Sequence, residues 1–144
     1  MKIGYTGGAY DLFHIGHLNI LKNAKAQCDY LIVGINTDEL IKNYKNKTPM
    51  VPYEERANIV EAIKFVDKVI PRNDLEKVNF ALKHGINIIF IGSDWKGNER
   101  WAKDEIELGK HGIELVYLPH TSHVSTTKLI AHIQSCDKAG NLIS

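Results

Sequence analysis

Five short runs of apolar and β-branched residues recur along the chain, separated by longer stretches in which apolar positions return every three or four residues. The runs Lys2–Thr6, Tyr30–Asn36, Phe65–Ile70, Ile88–Gly92 and Leu115–Leu118 read as strands. The stretches His17–Gln27, Tyr53–Ala62, Leu75–His84, Arg100–His111 and Thr126–Gln134 read as helices. Strand and helix alternating in this way predict βαβ units, hence an α/β, Rossmann-like doubly wound fold on a mainly parallel five-stranded sheet. Tyr30–Asn36 is apolar on both faces, as a central strand covered by helices must be. Ile41 to Val51, with Lys42, Lys45 and Lys47, shows neither period and reads as a mobile loop beside the site or as a solvated connection.

A length of 144 residues with 44% hydrophobic content supplies one core, so residues 1–135 are expected to form a single domain and 136–144 a polar tail. A net charge of +1 gives no broad basic field and argues against nucleic acid as a partner. Any anion site must be local. Cys28 and Cys136 lie too far apart in sequence for a metal-spaced pattern and fit a reducing compartment. With no signal-peptide pattern and no run of membrane-spanning length, the protein is expected to be cytoplasmic and not membrane-inserted.

The carboxyl ends of the expected strands carry small or polar residues, where open α/β sheets bind their ligands. After the first run come Gly7, Gly8, Ala9, Tyr10 and Asp11, then His14-Ile15-Gly16-His17 at the mouth of an amphipathic helix. Glycines permit close approach of backbone to ligand, and a helix start offers unpaired N–H groups to an anion. Two imidazoles three residues apart there can donate to one phosphate and stabilise the charge of a pentavalent transition state. No third clustered ligand accompanies them, so a metal site finds little support.

The segment Gly-x-Tyr-Asp-x-x-His-x-Gly-His resembles the HxGH signature of the cytidylyltransferase family within the nucleotidyltransferase superfamily. Ile35–Asp38, Glu55-Arg56, Gly92-Ser93-Asp94-Trp95-Lys96-Gly97 and Val124–Lys128 extend the resemblance over about residues 2 to 133, and it is strongest to the short bacterial glycerol-3-phosphate cytidylyltransferases.

That resemblance implies an enzyme transferring CMP from CTP, with Mg2+, to a small phosphorylated alcohol, foremost glycerol 3-phosphate, giving CDP-glycerol and pyrophosphate. It implies that His14 and His17 contact the reacting phosphates and that Lys45 or Lys47 reaches over the α-phosphate. Asp11 would hold the turn or organise the metal-bound triphosphate. Arg56 would bind the phosphorylated substrate or bridge to the active site. Gly92, Asp94 and Trp95 would lie near the cytidine, Asp94 also near the acceptor, and Ser125, Thr126 and Thr127 at the triphosphate while capping a helix. Trp101 reads as a packing residue. A homodimer is implied by the resemblance alone.

Two positions depart from the family pattern: His120 stands where an arginine is usual, and Ser93 where an aspartate is usual. Histidine lacks the permanent forked charge of arginine, so His120 is expected to alter phosphate or acceptor binding. The rival expectations are another acceptor (phosphocholine, phosphoethanolamine, a polyol phosphate), adenylyl transfer to a compound such as FMN, and a non-catalytic nucleotide-binding protein.

Overall fold

The computed structural model describes residues 1–92, 99–119, 121 and 124–138, with 136–138 as backbone only. In chain order the elements are β1 (Ile3–Gly8), α1 (Ile15–Lys25), β2 (Tyr30–Asn36), α2 (Asp38–Lys45), α3 (Tyr53–Glu61) and β3 (Lys68–Arg72). There follow α4 (Val78–Lys83), β4 (Ile88–Gly92), α5 (Glu99–Lys110), β5 (Glu114–Leu118) and α6 (Thr126–Lys138). The five strands form one sheet in the order β3-β2-β1-β4-β5, every neighbouring pair parallel.

Strand residues alternate between two cores, which is why β2 and β4 are apolar almost throughout rather than at every second position. Leu31, Val33 and Ile35 of β2 pack with Leu21 and Ala24 of α1 and Val60 of α3. Ile32 faces the other way and packs with Tyr5, Ala81 of α4 and Leu108 of α5. The chain leaves β1 toward β2 on one side and reaches β4 on the other, so a crevice opens at the carboxyl ends of β1 and β4.

Five expectations are corrected. The stretch expected to be a loop begins as α2, started by Thr37, whose hydroxyl accepts the Leu40 N–H. The helix stops where Asn46 turns left-handed at φ 54. Gly7 and Gly8 belong to β1, in register with Gly34 and Ile35, and are not part of the turn that follows. β3 lies later than expected and includes Pro71, which an edge strand tolerates because its outer N–H has no ladder partner to lose. α4 starts only at Val78, because the Glu76 carboxylate accepts the N–H groups of Asn79 and Phe80 and sets the first turn there. α6 runs on to Lys138, so the expected tail begins inside a helix.

Candidate active site

A cavity of about 650 Å³ opens at the carboxyl ends of the strands. Gly7, Gly8, Ala9, Tyr10 and Asp11 line it from β1 and the turn, His14, Gly16 and His17 from the start of α1, and Ser125, Thr126 and Thr127 from the start of α6. Two helix N-termini therefore face one cavity, and each favours an anion. Lys45, Lys47, Arg72, Lys77 and Arg100 add positive charge against the carboxylates Asp11 and Glu76, a local excess that the overall balance of charge conceals.

The histidine pair is held by a reciprocal cap. His14 Nδ1 accepts the Gly16 N–H at 3.0 Å, and His17 Nδ1 accepts the His14 N–H at 3.1 Å. An imidazole nitrogen that accepts a hydrogen bond carries no proton, so each ring is neutral and bears its hydrogen on Nε2. The rings stack with centroids 3.8 Å apart. Burial, reinforced by the His14 ring, lowers the His17 pKa from 6.5 to about 3, which keeps it neutral throughout the physiological range. Gly16 is required by contact: a Cβ there would lie 2.8 Å from His14 Cε1 and 2.9 Å from its Nδ1.

Beneath His17 sits Tyr10, buried, with ring centroids 5.2 Å apart. Its φ of 53° and that of Leu12 at 50° are left-handed for non-glycine residues, a local cost of order 1–2 kcal/mol each that packing must hold in place. Asp11 lies between them and ties three segments together. Its carboxylate accepts the Met50 and Val51 N–H groups at 2.8 and 2.9 Å, and its carbonyl accepts the Thr126 hydroxyl at 2.7 Å. The lysine segment is thus anchored at its end, and the left-handed Asn46 between Lys45 and Lys47 lets both reach the cavity.

Arg56 does not line the cavity and is fully buried. Its guanidinium donates to the carbonyls of Val51, Ala9 and Asn36 and pairs with Asp38. Of the two roles considered for it, this is the bridge: one side chain joins the ends of β1 and β2 to the lysine segment. Ser125 caps α6 by accepting the Lys128 N–H at 3.1 Å, as its place before the helix suggested. Gly92 lines the cavity from the end of β4. Asp94, Trp95, His120 and Ser93 lie outside the described residues.

Other cavity residues were not marked out by the sequence as members of the site. Trp101, expected only to pack, lines the cavity and carries the Lys77 ammonium 4.1 Å from its ring centroid. Lys77 is buried and paired with Asp104 at 2.7 Å. Asn36, Tyr44, Arg72 and Thr121 also converge here. Only strand order and long-range packing bring them together; Thr121, for instance, accepts the Asn19 amide of α1 at 3.1 Å. Among the described residues no three His, Cys, Asp or Glu side chains form a metal cage. No helix among them is long and apolar enough to cross a membrane.

Residues 5–132 match the family model described as cytidylyltransferase-like. The chain is 41% identical over 130 residues to the glycerol-3-phosphate cytidylyltransferase of Bacillus subtilis (strain 168), covering 90% of this chain and 95% of that one. It is 37% identical to the enzyme of the same name from Staphylococcus aureus (strain NCTC 8325 / PS 47), covering 90% and 92%. Among solved structures, the lipopolysaccharide core biosynthesis protein from Thermoplasma volcanium GSS1 superposes with a TM-score of 0.71 at 25% identity, over 86% of this chain and 99% of that one.

Proposed function

This chain belongs to the cytidylyltransferase-like family, and from that premise we propose that it transfers CMP from CTP to glycerol 3-phosphate, releasing pyrophosphate. The observation that carries the reading is the stacked, neutral histidine pair at the mouth of the cavity, each ring with its proton on Nε2. A phosphate oxygen of the acceptor attacks the α-phosphorus of CTP in line. The bond from that phosphorus to the bridging oxygen breaks, and pyrophosphate departs with the electron pair. The acceptor phosphate is already ionised near neutral pH, so no general base is needed.

Such a reaction depends on positioning and on neutralising charge. In this reading His14 and His17 donate through Nε2–H to the α-phosphate as negative charge grows there, Lys45 and Lys47 cover it, and the first turn of α6 with Ser125, Thr126 and Thr127 receives the triphosphate. Gly92, Asp94 and Trp95 would border the cytidine, and Asp94 and His120 the acceptor. Magnesium enters as part of the triphosphate substrate, neutralising phosphate charge, since it binds readily through phosphate oxygens and water. We place the protein in the cytoplasm, where its reactants are soluble, and expect a homodimer on family likeness, to be checked by sedimentation.

The test is pyrophosphate release with purified protein, magnesium, and CTP or ATP against a panel of phosphorylated alcohols. Turnover with CTP and glycerol 3-phosphate, lost in His14→Ala and His17→Ala, is the expected result. Preference for ATP, or no release with any pair, would refute it.

A further inference from the structure

Two buried side-chain polar atoms among the described residues have no hydrogen-bond partner, Tyr5 Oη and Asn36 Oδ1, and both residues line the active-site cavity. They share one face of the sheet. Tyr5 and Gly7 of β1, Ile32, Gly34 and Asn36 of β2, and Ile70 and Arg72 of β3 alternate onto the same side, with Tyr5, Ile32 and Ile70 in one core. The Tyr5 ring lies across Gly7 and Gly34 and reaches toward the strand ends; a Cβ on Gly34 would collide with its hydroxyl. A Cβ on Gly7 would sit 2.7 Å from Tyr5 Oη and 3.0 Å from Arg72 Nη1, so the phenol and the guanidinium flank one point. Arg72 stands opposite Asn36 in the strand register. Among the described residues its guanidinium has no carboxylate within ion-pair distance, although it lines the cavity.

The Asn36 amide already meets the Tyr44 hydroxyl at 3.0 Å through its nitrogen. Turning the amide over exchanges which atom meets Tyr44 and leaves the other equally unpaired. Burial, partly offset by Arg72, pushes the Tyr5 pKa up, so this group is a hydroxyl able both to donate and to accept. Among the described residues, an orphan donor-acceptor, an orphan amide atom and a cation with no carboxylate in ion-pair range share one face of a ligand cavity, and such a set calls for a neutral or anionic group that itself donates and accepts. An alcohol does both. The phosphates have their cradle at the starts of α1 and α6, and the base has the end of β4, which leaves the ends of β2 and β3 for the acceptor.

We infer that Tyr5, Asn36 and Arg72 form the recognition site for the hydroxyl-bearing end of the acceptor, selecting polyol phosphates and rejecting phosphates with a cationic tail. The inference rests on the cytidylyltransferase reading and narrows its acceptor class. A trimethylammonium has no hydrogen to donate and no lone pair to offer, and either ammonium tail would be repelled by Arg72.

The experiment measures CTP-dependent turnover of glycerol 3-phosphate, n-propyl phosphate and phosphoethanolamine by the wild type, Tyr5→Phe and Arg72→Gln. The wild type is expected to favour glycerol 3-phosphate over n-propyl phosphate at least tenfold in kcat/KM. Tyr5→Phe raises the KM for glycerol 3-phosphate about tenfold, the scale of one lost hydrogen bond. It leaves the KM for CTP within about twofold and shrinks the preference over n-propyl phosphate by the same factor. Arg72→Gln is expected to improve phosphoethanolamine relative to glycerol 3-phosphate. Removing an unpartnered hydroxyl should not lower the Tm, so a folded variant is expected. Should Tyr5→Phe nevertheless fail to fold, the wild-type preference among the three acceptors and the Arg72→Gln result still decide. An unchanged preference in Tyr5→Phe means the orphan atoms meet only water and overturns the inference, as does a wild type that prefers n-propyl phosphate or phosphoethanolamine. Absence of turnover with CTP and every acceptor is a different outcome: it removes the cytidylyltransferase reading and this inference with it.

Discussion

At Gly16 a single methyl would meet the His14 ring at 2.8 Å, and that ring is the helix cap and, in the proposed reaction, a phosphate donor. Gly16→Ala must push the imidazole off its cap. It is expected to lower kcat about 10²-fold, the scale of a lost oxyanion-type donor, while costing only about 1 kcal/mol of stability for the cap. Steady-state kinetics beside thermal unfolding checks both halves. His17 gives a pH dependence with a definite sign. It binds a proton below 6.5 when unfolded but only near 3 when folded, so its contribution to stability is complete above 6.5 and lost as pH falls from 6.5 toward 3. Tm should therefore decline more steeply over that window in wild type than in His17→Asn; parallel profiles would contradict the buried, neutral ring. The histidines and Gly16 were legible in the sequence because the cap is local, closed within four residues. Tyr5 and Arg72 were not, and Asn36 was visible only as a member of the matched Ile35–Asp38 segment, since the three lie on three strands and meet only through the register of the sheet.

Among elements, the least legible was the segment after β2. The helical period of α2 is short, only Leu40 and Ile41 are buried, and its lysines look like those of a solvated loop. What orders it comes from elsewhere: Asp11 holds Met50 and Val51, and Arg56 holds Val51 and the ends of β1 and β2. A motif match could point to Arg56 but not to its complete burial, which depends on three loops closing around it. Asp38, its ionic partner, has a side chain 43% exposed, so the carbonyl bonds outweigh the ion pair. Arg56→Met leaves three carbonyls unpaired beneath the site and is expected to cost about 3 kcal/mol or more in chemical denaturation. It should also raise the KM for CTP by loosening the lysines. A variant as stable as wild type, with an unchanged KM, would contradict the bridging role.

For the whole molecule, the alternation of strands with helices was readable because β2 and β4 are covered on both faces and so are apolar at nearly every position. Strand order was not. Nothing local states that β1 lies between β2 and β4, yet that order opens the crevice where the starts of α1 and α6, the lysine segment and the β2–β3 edge meet. The assembly converges on two stacked, neutral rings whose Nε2–H groups donate to the α-phosphate in the proposed reaction. The most direct test is nitrogen NMR of the protein with 15N-labelled histidine near pH 7, with and without a nonhydrolysable CTP analogue. The account predicts that His14 and His17 each carry one proton, on Nε2, with Nδ1 an acceptor, and that the analogue shifts both Nε2 signals. A proton on Nδ1 of either ring, or a doubly protonated ring in the free protein, would contradict it.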